Sequence, residues 1–201
     1  MSFNNSFSRI KQEFEDLNKN PILNICATVG LENPNNIYEW RCTINGPSDT
    51  PYANGLFFLK IKFPNDYPNK PPEVCFLTPI YHVNVNPRVP KAGGKESLGH
   101  VCISTLNWWD AKSPKSNIRA VLMDIFALFY LGNPESPYGL ERADEMNGNR
   151  PLYEAKCRYF TKKYAALNTD LQVFTNDWDF TYNPNQIPIP IPNKMKNMNM
   201  I

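Results

Sequence analysis

The sequence has no hydrophobic run that approaches the length of a membrane span, and its first residues lack the apolar stretch of a secretory signal. It also lacks any motif that resembles a nucleotide-binding site, and no internal repeat is visible. The formal net charge is only +2, and the basic residues form no stripe, so neither nucleic acid nor an anionic membrane is an expected partner. These absences favour a cytoplasmic or nuclear globular protein.

Cysteine is widely spaced, with no C-x-x-C pair among the five residues Cys26, Cys42, Cys75, Cys102 and Cys157. Disulfide frameworks usually need an even number of cysteines, and structural zinc sites need closely spaced ligands. We therefore expect neither a disulfide scaffold nor a bound metal. A reducing compartment suits such a chain and leaves its thiols available for chemistry.

Hydrophobic residues make up 42% of the 201 positions and aromatic residues 13%, which is enough to bury a substantial core. The length suits one domain, which we place at residues 1–167. Residues 168–201 form a C-terminal extension, in which alternating isoleucine and proline at 187–192 favours polyproline II and cannot fold alone. We expect this extension to be partly disordered.

The spacing of apolar residues predicts helices at both ends of the domain and β-strands between them. The predicted helices are residues 6–19, capped by Ser6, residues 117–131, capped by Ser116, a single turn near 140–146, and residues 150–167, capped by Asn149. The predicted strands are residues 23–29, 38–44, 56–63 and 73–78. This order predicts an α+β fold with an N-terminal helix, a four-stranded antiparallel β-meander, an irregular stretch, a central buried helix and C-terminal helices.

Residues 81–106 carry the candidate functional residues, because they hold both histidines and Cys102 in a segment rich in glycine and proline. His82 and Asn84 lie two positions apart in this segment. Buried cysteines often serve only as small hydrophobic residues, so residue types alone leave a structural Cys102 open. Polar loops are also where binding and catalysis concentrate, so a reactive Cys102 is the second interpretation.

Four motifs occur in order along the chain: GPSDTPYANGLFFLKIKFPNDYPNKPPEVCF, YHVNV, GHVCISTL and NPESPY. Their order and content resemble the ubiquitin-conjugating enzymes, whose usual pattern is G-P-x-x-[ST]-x-Y-x-x-G, F-P-x-x-Y-P-x-x-P-P, H-P-N and G-x-[IV]-C. The match extends over residues 5–167. Any one of these motifs is weak, whereas the ordered set is strong.

This resemblance implies that Cys102 is the thiol that accepts a modifier's C-terminal carboxylate as a thioester and passes it to a lysine amine. Asn84 matches the asparagine of the H-P-N motif, which implies a donor to the oxyanion or a brace for the local loop. His82 matches the histidine of that motif, whose role is mainly structural and fixes the turn. Ser136 falls where many members carry aspartate, which implies that it orients the incoming lysine and favours the neutral amine.

The resemblance also implies the partners. The chain would receive ubiquitin or a ubiquitin-like modifier from an activating enzyme, and deliver it to lysine-bearing protein substrates, usually with a ligase of the RING or another type. It would bind no cofactor directly, because ATP and Mg²⁺ are used by the upstream activating enzyme. No nucleic acid and no membrane are expected among the partners.

The candidate site departs from the family pattern at two places. Val83 replaces the middle proline of H-P-N, which removes a fixed φ and should loosen the loop around Asn84. Residues 87–97 are an insertion ahead of Cys102 that must leave the fold beside the thiol. This insertion could contact a partner or be a passive surface loop.

Two surface features also differ from the pattern. Asn69 occupies a loop position where several members place an aromatic residue, while Pro114 and Lys115 lie in the second ligase-contacting loop. A weaker apolar contact with ligases is therefore expected. Trp108 and Trp109 lie in an enlarged connection, and we expect one to pack in the core and an exposed one to mark a contact surface.

Two other functions remain compatible with these residues. His100 and Cys102 lie two positions apart and would face the same way on an extended segment, which could form the Cys–His pair of a cysteine hydrolase with Asn84 as orienting residue. The other is a non-catalytic ubiquitin-binding variant of the same fold. A hydrolase would cleave conjugates without an activating enzyme, whereas a non-catalytic variant would bind the modifier but form no thioester.

Overall fold

A computed structural model of the chain describes residues 3–23, 25–86 and 99–166. Five antiparallel strands form one sheet in sequence order: β1 Cys26–Asn33, β2 Asn36–Asn45, β3 Leu56–Lys62, β4 Glu73–Phe76 and β5 Gly99–His100. The helices are α1 Phe3–Lys19, α2 Ser104–Asn107, α3 Ile118–Leu128, α4 Leu140–Gly148 and α5 Arg150–Phe160, and a π-helical turn, Thr161–Ala165, extends α5. The predicted α+β fold, with an N-terminal helix, an antiparallel sheet and C-terminal helices, is confirmed.

The fifth strand is the main difference from the predicted four-stranded meander. β5 pairs with β4 through His100 opposite Cys75 and Gly99 opposite Phe76. Its two residues are too few to leave an alternating apolar pattern in the sequence. A Cβ atom at position 99 would lie 2.9 Å from the Phe76 carbonyl oxygen, so Gly99 permits the close approach of the strands. This short strand brings Cys102 to the edge of the sheet.

The sheet buries one face and leaves charged pairs on the other. The inward side chains of the two central strands are at most 1% exposed and alternate along the chain: Trp40, Cys42 and Ile44 on β2, and Phe57, Leu59 and Ile61 on β3. On the opposite face, Lys60 of β3 forms an ion pair with Glu39 of β2 at 2.8 Å. The buried face joins side chains of α1, α3 and α5 in one hydrophobic cluster. This core fixes the frame on which the candidate site is built.

α1 begins before its predicted cap. Ser6 lies inside the helix, and its hydroxyl donates toward the backbone carbonyls of Asn65 (2.7 Å) and Tyr67 (2.6 Å). The predicted N-cap is therefore wrong, because a tertiary contact with the loop after β3 takes the hydroxyl. In the same helix, Glu13 accepts a hydrogen bond from the backbone N–H of Ile118 at 2.8 Å, which ties α1 to the start of α3.

α3 has Asn117 as its N-cap, not Ser116. The Asn117 side chain accepts a backbone N–H of the first turn at 2.9 Å, whereas the Ser116 hydroxyl accepts from the backbone N–H of Asp110 at 3.2 Å. One face of the helix is buried, while Met123 on the other face is 51% exposed. The nearly continuous apolar sequence therefore overstated how completely this helix is enclosed.

The C-terminal helices follow the prediction more closely. α4 is longer than the predicted single turn near residues 140–146. The predicted cap of α5 is confirmed, because the Asn149 side chain accepts a hydrogen bond from the backbone N–H of Leu152. Three side chains are buried along one face of α5, as their spacing predicted: Tyr153, Cys157 and Phe160.

Two predicted features lie outside the described residues. They are the insertion at residues 87–97 and the C-terminal extension at residues 168–201, together with its boundary to the domain. Within the described part of the chain, no helix is long and apolar enough to cross a membrane.

Candidate active site

Cys102 lies two residues after β5, at an open edge of the fold. Its backbone N–H donates to the Asn84 carbonyl at 3.0 Å, and the neighbouring Val101 forms an antiparallel bridge with Val85. Further along, the Asn86 N–H donates to the His100 carbonyl at 2.9 Å. Backbone hydrogen bonds therefore hold the cysteine segment against the segment that contains Asn84.

Among the cysteines whose side chains the structure describes, Cys102 alone reaches solvent, and it is half-buried. The other three, Cys42, Cys75 and Cys157, are buried. Burial raises the pKa of the Cys157 thiol to about 12, which leaves this thiol protonated at neutral pH. Of the described thiols, only that of Cys102 is placed to meet a large reactant.

Two polar side chains lie beside the Cys102 sulfur. Asn107 donates from Nδ2 to Sγ at 3.3 Å, and the Ser136 hydroxyl oxygen lies 3.8 Å from Sγ. Asn107 ends α2, while Ser136 belongs to the loop before α4. All three residues, with Asn84, line a cleft of about 480 Å³. The thiol therefore faces an open cleft with hydrogen-bonding groups at its walls.

The Asn84 side chain is 1% exposed and fully hydrogen-bonded. Its Nδ2 donates to the backbone carbonyls of Asn133 (2.9 Å) and Ser136 (3.0 Å), and its Oδ1 accepts from the Asn133 N–H at 2.7 Å. Both amide hydrogens are thus used on the 133–136 loop. In this arrangement Asn84 braces the loop that carries Ser136, one of the two roles considered for it.

His82 lies beneath the site and is 2% exposed. Its Nε2 is 2.9 Å from the Leu128 carbonyl oxygen, so Nε2 carries the hydrogen, and its Nδ1 accepts the Asn84 N–H at 3.0 Å. Burial is the main cause that lowers the pKa of His82 to about 4; the hydrogen bond to the Leu128 carbonyl opposes this shift, and the nearby charge of Arg142 adds to it. The neutral ring connects the turn to α3 and does not face the thiol cleft.

Val83 does not leave the turn unsupported. It is completely buried, its N–H donates to the Tyr153 hydroxyl at 3.0 Å, and its carbonyl accepts the Tyr138 N–H at 2.9 Å. A proline here would have no N–H to donate. The expected loosening therefore does not follow from this geometry, because a tyrosine of α5 supplies the partner that valine needs.

Arg142 of α4 is a positioning residue that sequence reasoning missed. Its guanidinium is 7% exposed and donates to the backbone carbonyls of His82 (3.0 Å) and Val85 (2.8 Å). The guanidinium carbon also lies 4.6 Å from the centre of the Tyr81 ring. A buried arginine at about 60 residues' distance from its acceptors leaves no local sequence signal.

Asp124 of α3 fixes the segment that follows the cysteine. Its carboxylate accepts hydrogen bonds from the Ser104 hydroxyl at 3.3 Å, from the Thr105 N–H at 3.3 Å and from the Thr105 hydroxyl. These contacts attach α2 to α3, and α2 in turn carries Asn107. The single acidic residue of this mainly apolar helix was the available sequence signal for this contact.

The two neighbouring tryptophans divide as expected. Trp109 packs against the core, its indole N–H donates to the Pro68 carbonyl at 2.6 Å, and its ring lies 5.8 Å from that of Tyr67. Trp108 is 85% exposed and lines the cleft that contains Cys102. The packing half of the prediction is confirmed, while the role of Trp108 as a contact surface stays a prediction.

Trp109 also joins the two loops that the family resemblance linked to ligases. One loop carries Asn69 and the other carries Pro114, and both residues are exposed. The indole contact with Pro68 fixes the spacing between these loops.

The structure brings Cys102, Asn84 and Ser136 around one cleft and places His82 below it. His100 does not join them, because its Nε2 lies 3.4 Å from a Glu73 carboxylate oxygen on the neighbouring strand. Cys102 therefore has no histidine among the hydrogen-bond partners given by the described residues, which removes support for a cysteine hydrolase. No group of three or more potential metal ligands occurs in the described ranges.

Comparison with known proteins gives a result in agreement with this geometry. The family model described as ubiquitin-conjugating enzyme matches residues 9–161. A protein of Arabidopsis thaliana named "Probable ubiquitin-conjugating enzyme E2 31" is 40% identical over 134 residues, which cover 67% of this chain and 79% of that protein. The matched family span includes Asn84, Cys102 and Ser136. The chain belongs to the ubiquitin-conjugating enzyme family.

Proposed function

We propose that this protein accepts ubiquitin or a ubiquitin-like modifier as a thioester on Cys102 and transfers it to a lysine amine. The observation that carries the proposal is the half-buried Cys102 thiol, which opens on a cleft between Asn107 and Ser136. A structural cysteine would be enclosed by apolar neighbours, as Cys42 is. Membership of the family supports the same assignment.

The chemistry needs no cofactor on this chain. An activating enzyme would use ATP and Mg²⁺ to form its own modifier thioester. Cys102 would then attack that carbonyl carbon, so that one carbon–sulfur bond forms as the other breaks. A lysine amine can then displace the Cys102 thiolate. This step needs no further energy input, because an amide is more stable than the thioester that it replaces.

The cleft suits an extended, partly apolar chain next to the thiol. Ala127, Leu128 and Leu131 of the α3 region line one wall, and Leu131 is 73% exposed. Trp108 lines the cleft as well and is 85% exposed. Exposed apolar side chains around a reactive group favour a macromolecular reactant over a small polar one.

Ser136 is proposed to contact the incoming lysine. Its hydroxyl lies 3.8 Å from the Cys102 sulfur, on a loop that Asn84 fixes through the carbonyls of positions 133 and 136. A hydroxyl can accept a hydrogen bond from a neutral amine and so orient it, and a carboxylate at this position can accept the same bond. We expect Ser136→Ala to slow transfer to lysine, and Ser136→Asp to retain it.

The partners follow from the proposal. An activating enzyme would load the thiol, and a ligase of the RING or another type would contact the exposed loops at Asn69 and Pro114. Lysine-bearing proteins would be the acceptors. A reducing cytosolic or nuclear compartment would keep the Cys102 thiol free for loading.

The deciding experiment is a loading assay with a panel of activating enzymes, their modifiers and Mg-ATP, resolved on gels with and without reductant. The wild type should form an adduct that reductant removes. Cys102→Ser should form an adduct that resists reductant, since an oxygen ester replaces the thioester, and Cys102→Ala should form none. Modifier binding by a wild-type chain that never forms an adduct would instead support a non-catalytic variant.

A further inference from the structure

Asn107 makes the only side-chain amide hydrogen bond to the reactive sulfur that the described residues show. Its Nδ2 lies 3.3 Å from Cys102 Sγ. The backbone of Asn107 is fixed by its own N–H, which donates to the Ile103 carbonyl at 3.1 Å. The side chain is exposed, so it can rotate toward a group bound at the sulfur without crossing the core.

Asn84 offers no comparable donor. Both of its amide hydrogens donate to loop carbonyls, and the side chain is 1% exposed. To reach a carbonyl oxygen attached to Cys102, the buried Asn84 side chain would have to break one of these bonds and release the 133–136 loop that it braces. Reorientation therefore costs more for Asn84 than for Asn107, because the Asn107 side chain is exposed and can exchange hydrogen bonds with solvent.

We propose that Asn107 is a catalytic residue. Its amide N–H stabilises the Cys102 thiolate in the free enzyme and the carbonyl oxygen of the thioester during transfer. The second half of this role rests on the proposed function, whereas the first half concerns the unloaded protein. The position was not singled out by the sequence, because the motif around the cysteine ends before it.

The transfer step defines what Asn107 does. A neutral lysine amine attacks the thioester carbonyl carbon, a carbon–nitrogen bond forms, and the carbonyl oxygen takes up negative charge while the amine proton passes to water. The oxygen is bonded to the carbon that is attached to Sγ, so a donor at the sulfur needs only a side-chain rotation to reach it. When the intermediate collapses, the carbon–sulfur bond breaks and Sγ leaves as a thiolate beside the same amide.

The unloaded protein gives the first test. The rate of alkylation of Cys102 by iodoacetamide at neutral pH would be followed by mass spectrometry of the peptide that contains it. Asn107→Leu keeps the size of the side chain without a donor, and Asn107→Asp keeps its shape but adds negative charge. We expect alkylation to slow about threefold in Asn107→Leu and more in Asn107→Asp, because the thiolate loses its donor.

Asn18→Leu is the matched control, since Asn18 is an exposed asparagine of α1 that donates to the Phe14 carbonyl. Its alkylation rate should equal that of the wild type. Equal rates in the wild type and both Asn107 variants, with unfolding midpoints unchanged, would overturn the proposal. This result does not depend on any modifier being carried.

The second test uses the loaded enzyme in single-turnover discharge to free lysine. Asn107→Leu should load to the wild-type end point but discharge roughly tenfold more slowly, since an oxyanion donor acts mainly in the transition state. Discharge at the wild-type rate would overturn the oxyanion role. If none of the tested modifiers forms a thioester with the wild type, the proposed function fails. The alkylation result still decides whether Asn107 stabilises the thiolate.

Discussion

Two adjacent segments of the site are built in opposite ways. The turn at residues 82–85, hereafter the buried turn, is enclosed: His82, Val83 and Asn84 are at most 2% exposed. Side chains of two helices, Arg142 of α4 and Tyr153 of α5, hold its backbone. The segment at residues 102–108, the thiol segment, carries half-buried Cys102 and 85%-exposed Trp108. Substitutions in the buried turn should therefore change the stability of the protein, whereas those in the thiol segment should change its chemistry.

The largest expected effect comes from removing the guanidinium that supports the buried turn. Arg142→Met leaves the carbonyls of His82 and Val85 without their charged donor, and we expect a loss of about 3 kcal/mol in the free energy of unfolding, measured in urea. Arg158→Met is the control, since the Arg158 side chain is 60% exposed and pairs with Glu154 on the helix surface. A loss in Arg142→Met no larger than in this control would contradict the comparison.

His82 gives the buried turn a pH dependence. Its folded pKa of about 4 lies below the ordinary value of 6.5, so between these values the unfolded chain binds a proton that the folded protein does not. Stability contributed by neutral His82 is therefore complete above pH 6.5 and is lost as the pH falls toward 4, by about 3 kcal/mol.

The measurement is the difference between two denaturation series at pH 7 and pH 4.5. His82→Gln carries no titrating ring, so its free energy of unfolding should fall less over this interval than that of the wild type. Carboxylates titrate in both proteins and cancel in the difference. Parallel pH profiles for the two proteins would show that His82 is not held neutral by burial.

A smaller effect is expected from the hydroxyl that serves Val83. Tyr153→Phe leaves the buried Val83 N–H without an acceptor and should cost about 1–2 kcal/mol. Val83→Pro removes that N–H, so the same tyrosine substitution should cost less in the proline background. Urea denaturation of the four proteins in this cycle gives the coupling directly. Costs that simply add would mean that the Tyr153 hydroxyl stabilises the protein through partners other than the Val83 N–H, such as Tyr52 and Cys157.

The smallest change in stability is expected in the thiol segment. Trp108→Ala should alter the free energy of unfolding by no more than about 0.5 kcal/mol, whereas Trp109→Ala should lose about 2–3 kcal/mol because its ring packs on the core. The same Trp108→Ala protein should load or discharge its modifier more slowly if the exposed indole contacts a partner. A stable Trp108→Ala variant that loads and discharges at the wild-type rates would show that the indole contacts no partner in these steps.

Much of the frame was predictable because its signals are local. The alternation of Phe57, Leu59 and Ile61 predicted β3, and Asn149 predicted the start of α5. The two serine caps were wrong because each hydroxyl has another partner: Ser6 contacts the loop after β3, and Ser116 contacts Asp110 in the loop before α3.

The candidate site was predictable only in part. Cys102, Asn84 and Ser136 came from motifs whose order is preserved, although spacing alone would not have joined residues so far apart. Asn107 and Arg142 could not be found in the same way. The Arg142 contact joins residues 60 positions apart and depends on how α4 packs, whereas the Asn107 contact spans only five residues and depends on the short helix α2, which was not predicted.

The hydrogen bond between Asn86 and His100 has an evolutionary consequence. Asn86 and Gly99 are both held by backbone contacts: the Asn86 N–H donates to the His100 carbonyl, and Gly99 pairs with Phe76 of β4. These contacts fix the two ends of the interval between Asn86 and Gly99. Additional closure entropy grows only slowly with the number of residues between two fixed ends. Evolution can therefore change the number of residues between positions 86 and 99 at little cost in the free energy of unfolding, while the Cys102 sulfur keeps its position.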